Sequence, residues 1–336
     1  MKTLVLILGP TGVGKTELSL RLAERYGCPI INCDSRQVYR DIPIGTAAPT
    51  QEEQERVPHY LVGTKELEEN YSAGQFERDA LTILEELFKT HEVVVMTGGS
   101  MLYADALCYG LDALPNVPED IRREVRESYE TKGIAWLQAE VQRLDPDYWE
   151  QVDRSNPARL MHCVELSMTT GVPYSSLLSG KGKGESGKRK AERGKGKAEN
   201  EKGKAENGKG KGESGKRPFR IVKVALNRDR EELYARINRR VEQMVKDGLV
   251  EEARAVYPKR HLNSLQTVGF RELFGYFDGK YDLARAIELI QQNTRHYAKR
   301  QLTWFRRDKD LFWLNANDDN EKNISLIDAL LRSDRL

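Results

Sequence analysis

The chain has 336 residues, 39% of them hydrophobic and 32% charged, which is enough apolar material for one large or two modest domains with a proper core. Its formal charge of +2 argues for no particular partner, and Cys28, Cys33, Cys108 and Cys163 form neither a C-x-x-C pair nor a metal-ligand spacing. No apolar run approaches a membrane span and the N-terminal one is too short for a signal peptide, so a disulfide framework and a membrane protein are excluded and a reducing cytoplasm is expected.

Met1 to Leu8 reads as a short buried strand running directly into Gly9-Pro10-Thr11-Gly12-Val13-Gly14-Lys15-Thr16, the G-x-x-x-x-G-K-T pattern of a P-loop. The glycines let the backbone turn sharply and approach a ligand, and the freed N–H groups at the start of the next helix point at an anion. Lys15 is placed to reach the outer phosphates and the Thr16 hydroxyl to ligate Mg²⁺. In the helix that follows, Leu18, Leu22 and Tyr26 share one face and Gly27 supplies the stop.

The second strand, Pro29 to Cys33, runs into Asp34-Ser35-Arg36-Gln37-Val38-Tyr39. Ligands of open α/β sheets sit beyond the carboxyl ends of the strands, so Asp34 and Ser100 are predicted to converge near the P-loop. There Asp34 can serve as a general base or a Mg²⁺ ligand; its bland reading is a helix N-cap. Ser72 and Gln75 make a capping box, opening a helix whose stripe is Phe76, Ala80, Ile83, Leu84 and Leu87. The strand Val93 to Met96 then ends in Thr97-Gly98-Gly99-Ser100, without the carboxylate that a nucleotide hydrolase carries there to help hold Mg²⁺. Strand and helix alternate, which predicts an α/β fold: a P-loop NTPase-like parallel sheet core, flanked by helices, over residues 1–114.

From Pro115 the character changes to an α-helical insert over 115–153, containing Trp136, Leu137, Val141 and Leu144 and broken by Asp145-Pro146. Asn156-Pro157 opens a helix with Leu160, Val164 and Met168 on one side and Gly171 at its end, assigned to the core as 154–179. Residues 180–217 are low complexity: GKGKGESGKR occurs at 180–189 and again at 208–217, and the segment carries 14 Lys/Arg against 6 Asp/Glu. That net +8, set against +2 for the whole, leaves −6 for the rest of the chain. Without aliphatic or aromatic side chains the segment cannot offset the entropy of ordering, so it is expected to be disordered and to loop outward. It reads as a tolerated repeat expansion rather than an RNA tether, because Glu dilutes the charge and no aromatics interleave.

The core resumes over 218–336 with a strand from Phe219 to Leu226 and a long helix from about Asp229 to Tyr257, whose polar side carries Arg230, Arg236, Arg239 and Arg240. A last long helix starts near Asp282, with Leu283, Ile287, Ile290, Tyr297 and Trp304 inward. Its basic residues fall at helical spacing, Arg295, Lys299 and Arg306 on one line and His296, Arg300 and Arg307 beside it. Such stripes are either solvated faces or the footprint of an anionic or RNA ligand.

Taken together, GPTGVGKT, DSRQVYRDIPIGTAAPT, YSAGQFERDAL, TGGSMLYADAL and AKRQLTWFRRD closely resemble the tRNA dimethylallyltransferases, or tRNA isopentenyltransferases, over roughly Lys2–Thr170 and Arg220–Leu314. The resemblance implies transfer of a dimethylallyl group from dimethylallyl diphosphate to N6 of the adenine 3′ of the anticodon, with Mg²⁺ as cofactor. It implies that Gly9 to Thr16 bind diphosphate with Thr16 on Mg²⁺, and that Lys15 and an arginine of the Arg230/Arg236 pair neutralise the leaving group. Asp34 takes the N6 proton, and Ser100 replaces a family Thr while keeping the hydroxyl. Asp34, Ser35, Arg36, Gln37, Ser100, Arg122, Arg159, Gln266 and Arg271 match tRNA-contacting positions, with Gln37 and Ser35 candidates to read the base. His162 departs from a frequent family Arg, and the 180–217 repeat inherits no role. The partners implied are the tRNA anticodon stem-loop and the prenyl diphosphate, bound by a monomer away from any membrane. The competing readings are an adenylate dimethylallyltransferase using free AMP, ADP or ATP, a P-loop small-molecule kinase, and a non-catalytic RNA-binding protein; the insert, Arg122 and the basic helices favour tRNA over a mononucleotide.

Overall fold

A computed structural model describes residues 1–111, 114–178 and 217–333. The described chain divides into two compact units, one built from Met1–Cys108 and Lys216–Leu336, the other from Tyr109–Gly215.

The first unit is built on a sheet of six strands: β1 (Thr3–Leu8), β2 (Ile30–Cys33), β3 (His59–Tyr60), β4 (Val93–Gly98), β5 (Arg220–Asn227) and β6 (Phe312–Asn315), in the order β3-β2-β4-β1-β5-β6. Every pairing is parallel. A parallel sheet is covered on both faces, which is why β1, TLVLIL, is apolar at every position after Thr3 and buried throughout, instead of alternating. The order reverses beside β1: the chain leaves it toward β2 and β4 and returns on its other side as β5 and β6. Such a reversal opens a crevice beyond the carboxyl ends of the strands. The P-loop follows β1, Asp34 follows β2, Gly99-Ser100 follow β4 and Arg228 follows β5, so the topology gathers all of them at one edge.

Local signals behave as their chemistry requires. Gly27 ends the helix Lys15–Tyr26 in the left-handed region (φ 56°), and Ser72 and Gln75 form the full capping box of the helix Ala73–Leu87. The predicted single helix from Asp229 to Tyr257 is instead two, Arg230–Lys246 and Leu249–Val256. Gly248 stands between them at φ 104°, a conformation that interrupts helical hydrogen bonding. The short edge strands β3 and β6 were not anticipated, being two and four residues long and so too brief to show a period.

The second unit has its own core, in which Val125, Leu137 and Val141 of the segment Glu119–Leu144 meet Leu160, Cys163 and Val164 of the helix Pro157–Thr170. Gly133, at φ 72° and ψ −172°, kinks Glu119–Leu144 into two pieces. This corrects the boundary expected from sequence: the helix assigned to the core as 154–179 packs within the insert, since its apolar face finds its partners there. Met168, expected on the inward side, is 37% exposed. The repeat lies outside the described residues except for its last member, Arg217, which is anchored, donating to Leu107 O at 2.7 Å, Ala106 O at 2.9 Å and Glu77 Oε1 at 2.6 Å.

Candidate active site

The carboxyl edge of the sheet opens into a cleft of about 1460 Å³ lined by the P-loop, Asp34 to Gln37, the Pro43–Gln54 segment, Thr97 to Gly99, one face of Arg230–Lys246 and residues of Leu283–Phe305. Gly9 begins the turn at φ 143°, where an added Cβ would lie 2.9 Å from the Leu226 carbonyl of β5. Gly14, at φ 114°, passes the chain into the helix Lys15–Tyr26. Within the loop the Thr11 N–H is taken by Gln301 Oε1 at 2.9 Å and the Val13 N–H by Pro10 O at 3.3 Å. The N–H groups of Gly12, Gly14, Lys15 and Thr16 take no acceptor among the described residues. A helix start with free donors is an anion site.

Cations converge on the same point. Lys15 Nζ donates to the carbonyls of Gly9 (2.9 Å) and Pro10 (3.0 Å), which leaves one of its three protons for a ligand. Burial, with the Arg240 guanidinium beside it, lowers its pKa to about 8, while Asp34 opposes the shift. Arg236 Nε donates to Gly12 O at 3.0 Å, and Arg240 Nη1 lies 3.5 Å from Thr11 Oγ1. Arg228 donates to Val13 O at 3.4 Å and Ala316 O at 2.6 Å and pairs with Glu232. Arg230 does not join them: it is exposed, 5.2 Å above the Tyr234 ring, and lines no part of the cleft. The reason is helical phase, since six residues at about 100° each carry Arg230 some 240° around the helix from Arg236, whereas Arg240 follows one turn later on the same face.

Opposite the cations stands Asp34. Its Oδ1 accepts from the N–H groups of Arg36 (2.9 Å) and Gln37 (3.4 Å), so it does cap a turn, but its second oxygen takes no donor among the described residues. Burial raises its pKa above the usual carboxylate range, with the two N–H groups and Lys15 pulling the other way. Base and cap are therefore compatible, one oxygen for each. Ser100 is 7% exposed and sits behind the cleft wall, accepting from Ser35 N at 2.8 Å and donating to Ser35 Oγ at 3.1 Å. Its hydroxyl braces the turn that carries Asp34.

Gln37 Nε2 donates to Thr46 O (3.1 Å) and Ala47 O (2.8 Å), so both amide protons are engaged and Oε1 remains as an acceptor. The short helix Pro43–Thr46, whose C-terminal end it grips, is itself held by Glu252, which accepts from the N–H groups of Ile44 and Gly45, each at 2.8 Å. Arg36 donates to the carbonyls of Asn263 (2.9 Å) and Ser264 (3.2 Å), and Gln266 and Arg271 also line the cleft. Arg122 and Arg159 lie in the second unit, the first donating to Val117 O at 3.4 Å, the second exposed at the start of Pro157–Thr170. His162 packs edge-on to Tyr174 in the same unit.

Sequence reading missed Arg228 and Gln301, the latter 1% exposed and joining the P-loop to Gly99 O at 2.8 Å, and placed Arg240 only on the basic side of its helix. A signal existed: Gln301 falls four residues after Tyr297 on the inward face of its helix, and a polar residue on such a face needs buried partners. For Mg²⁺ the donor set is sparse. Thr16 lines the cleft, and among the described residues no group of three His, Cys, Asp or Glu side chains could hold an ion. That suits a cation carried mainly by substrate phosphates and water.

Comparison with known proteins adds to this geometry. The family described as IPP transferase matches residues 37–308. A tRNA dimethylallyltransferase of Parabacteroides distasonis is 50% identical over 318 residues, covering 95% of this chain and 96% of the relative. One from Bacteroides thetaiotaomicron is 48% identical, covering 96% and 94%. The crystal structure of the full-length tRNA isopentenylpyrophosphate transferase from Bacillus halodurans superimposes with a TM-score of 0.66 at 31% identity, covering 98% and 96%.

Proposed function

We infer the reaction from family and site together: this chain belongs to the IPP transferase family. It is a tRNA dimethylallyltransferase, moving a dimethylallyl group to N6 of the adenine 3′ of the anticodon in tRNA. The observation that carries the residue assignments is the division of one cleft into a cationic P-loop side and an anionic Asp34 side.

The donor on this reading is dimethylallyl diphosphate. Its diphosphate lies on the N–H groups of Gly12, Gly14, Lys15 and Thr16, with Gly9, Pro10, Thr11 and Val13 shaping the loop. As the allylic C–O bond breaks, its electron pair leaves with the diphosphate, and the growing charge meets Lys15, Arg236 and Arg240 in a partly desolvated site. The adenine N6 forms the new bond to that carbon and gives its proton to the unengaged oxygen of Asp34. The base must leave the anticodon-loop stack to reach it. Gln37 can only accept from that base or its neighbour, because its own donors are spent. Thr16, together with the diphosphate, would hold Mg²⁺, which would supply further charge neutralisation. A monomer working in the cytoplasm completes the proposal; no helix among the described residues is long and apolar enough to cross a membrane.

Incubation with labelled dimethylallyl diphosphate, Mg²⁺ and either tRNA or AMP tests the reading. Label is expected in tRNA; label in neither, or only in AMP, overturns it. The two arginines give a sharper check. Arg236→Ala is expected to lower kcat/KM for the donor by at least about tenfold, the worth of a charge-assisted hydrogen bond, whereas Arg230→Ala stays within about twofold. Equal losses from both would show that the cationic wall is assigned to the wrong helix face.

A further inference from the structure

Gln301 is a buried amide that touches both halves of the cleft. Its Oε1 accepts from the Thr11 N–H of the P-loop at 2.9 Å, and its Nε2 donates to the Gly99 carbonyl at 2.8 Å. The next residue, Ser100, holds Ser35 through both its hydroxyl oxygen and its proton, and Ser100 N bonds Cys33 O at 3.2 Å. Hydrogen bonds from Thr11 to Gln301, Gln301 to Gly99 and Ser100 to Ser35, joined by the Gly99–Ser100 and Ser35–Asp34 peptide links, therefore tie the P-loop to Asp34.

The fit allows little else at the Gly99 end. A Cβ on Gly99 would lie 2.4 Å from Gln301 Nε2, and one on Gly98 only 2.0 Å from the Cys33 carbonyl. Thr11 offers a donor and Gly99 an acceptor, so the bridging group must accept at one end and donate at the other. A neutral carboxamide does both; a carboxylate, an ammonium or an apolar chain of the same length does not. Removing it would strand a half-buried N–H and a buried carbonyl on two segments that must keep a fixed spacing.

We propose that Gln301 is a positioning residue: it fixes the phosphate loop against the turn carrying Asp34, and so sets the distance between the leaving diphosphate and the base. The proposal rests on the prenyl-transfer reading for its catalytic consequence, but not for its geometry. Misplacement of reacting groups acts on turnover before it acts on affinity for the large partner.

Two variants test it. Gln301→Met keeps length and bulk without hydrogen bonds, and is expected to lower kcat at least about tenfold while KM for tRNA stays within about twofold. Gln301→Glu is expected to match that loss at pH 8, where an ionised carboxylate faces the Gly99 carbonyl. Its activity relative to the parent should then rise at least about threefold toward pH 6, as a protonated carboxyl restores the donor. Lys15, Asp34, Arg236 and Arg240 face the cleft in both proteins, so the ratio to the parent cancels their titration. Inorganic diphosphate with Mg²⁺ should bind each variant at least about threefold more weakly by calorimetry at pH 8, a readout independent of prenylation. Parental kcat and parental diphosphate affinity in Gln301→Met would overturn the proposal. So would a Gln301→Glu ratio that is flat with pH, or losses that follow melting temperature alone. Absence of transfer in the parent would instead overturn the prenyl-transfer reading and leave the diphosphate measurement standing.

Discussion

Asp34→Asn is expected to lower turnover by at least about a hundredfold while tRNA affinity stays within about twofold. The substitution separates the two tasks of this side chain. Asn retains an oxygen for the N–H groups of Arg36 and Gln37, so the turn stays capped. It cannot take a proton from N6, and an exocyclic adenine amine is a poor nucleophile without a positioned base. Burial holds the parent carboxyl above its ordinary range, so the rate should rise with pH through that elevated pKa as Asp34 ionises. The variant's residual rate should lack this ascending limb. Turnover within about threefold of the parent would reduce Asp34 to a cap and move the base elsewhere.

Lys15→Gln is expected to cost about a hundredfold or more in kcat/KM for the donor, the scale for losing one preorganised cationic donor to a leaving group. Glutamine preserves much of the reach and can still donate to the Gly9 and Pro10 carbonyls, so the loop should keep its shape. What disappears is the charge. In the parent, a pKa of about 8 means that free enzyme loses the Lys15 proton as pH rises through that value, so kcat/KM for the donor should fall above it. A bound diphosphate favours the ammonium and pushes the titration upward, so kcat should stay level over the same range. Lys15→Gln should remove the descending limb of kcat/KM. A variant that keeps the limb would assign the titration to another group.

These two residues differ in how openly the chain announces them. Lys15 is legible because the P-loop is a local device: strand, glycines, Lys-Thr and helix occupy consecutive positions, and no distant contact is needed to give them meaning. Asp34 needed one further step, the rule that strand ends share an edge, and the sheet obeys it. Arg230 and Arg236 were not separable without knowing which face of their helix meets the loop, and only one of them does. The helix Pro157–Thr170 was likewise visible with its caps, but its apolar face carried no label of the partner that would cover it. Gln301 lies 290 residues from Thr11 and 202 from Gly99, so no local pattern could join them.

Sequence alone determined the parallel-sheet class, the phosphate loop and the caps, because each depends on residues a few positions apart and on short-range sterics and hydrogen bonding, while the kind of chemistry was implied by resemblance to a family. Tertiary structure decided which arginines face the P-loop, that Ser100 braces rather than borders the cleft, and how the two sides of the site are tied together. Those outcomes depend on helix phase and on contacts closed across hundreds of residues, where the side chain's neighbours are chosen by packing and not by its place in the chain.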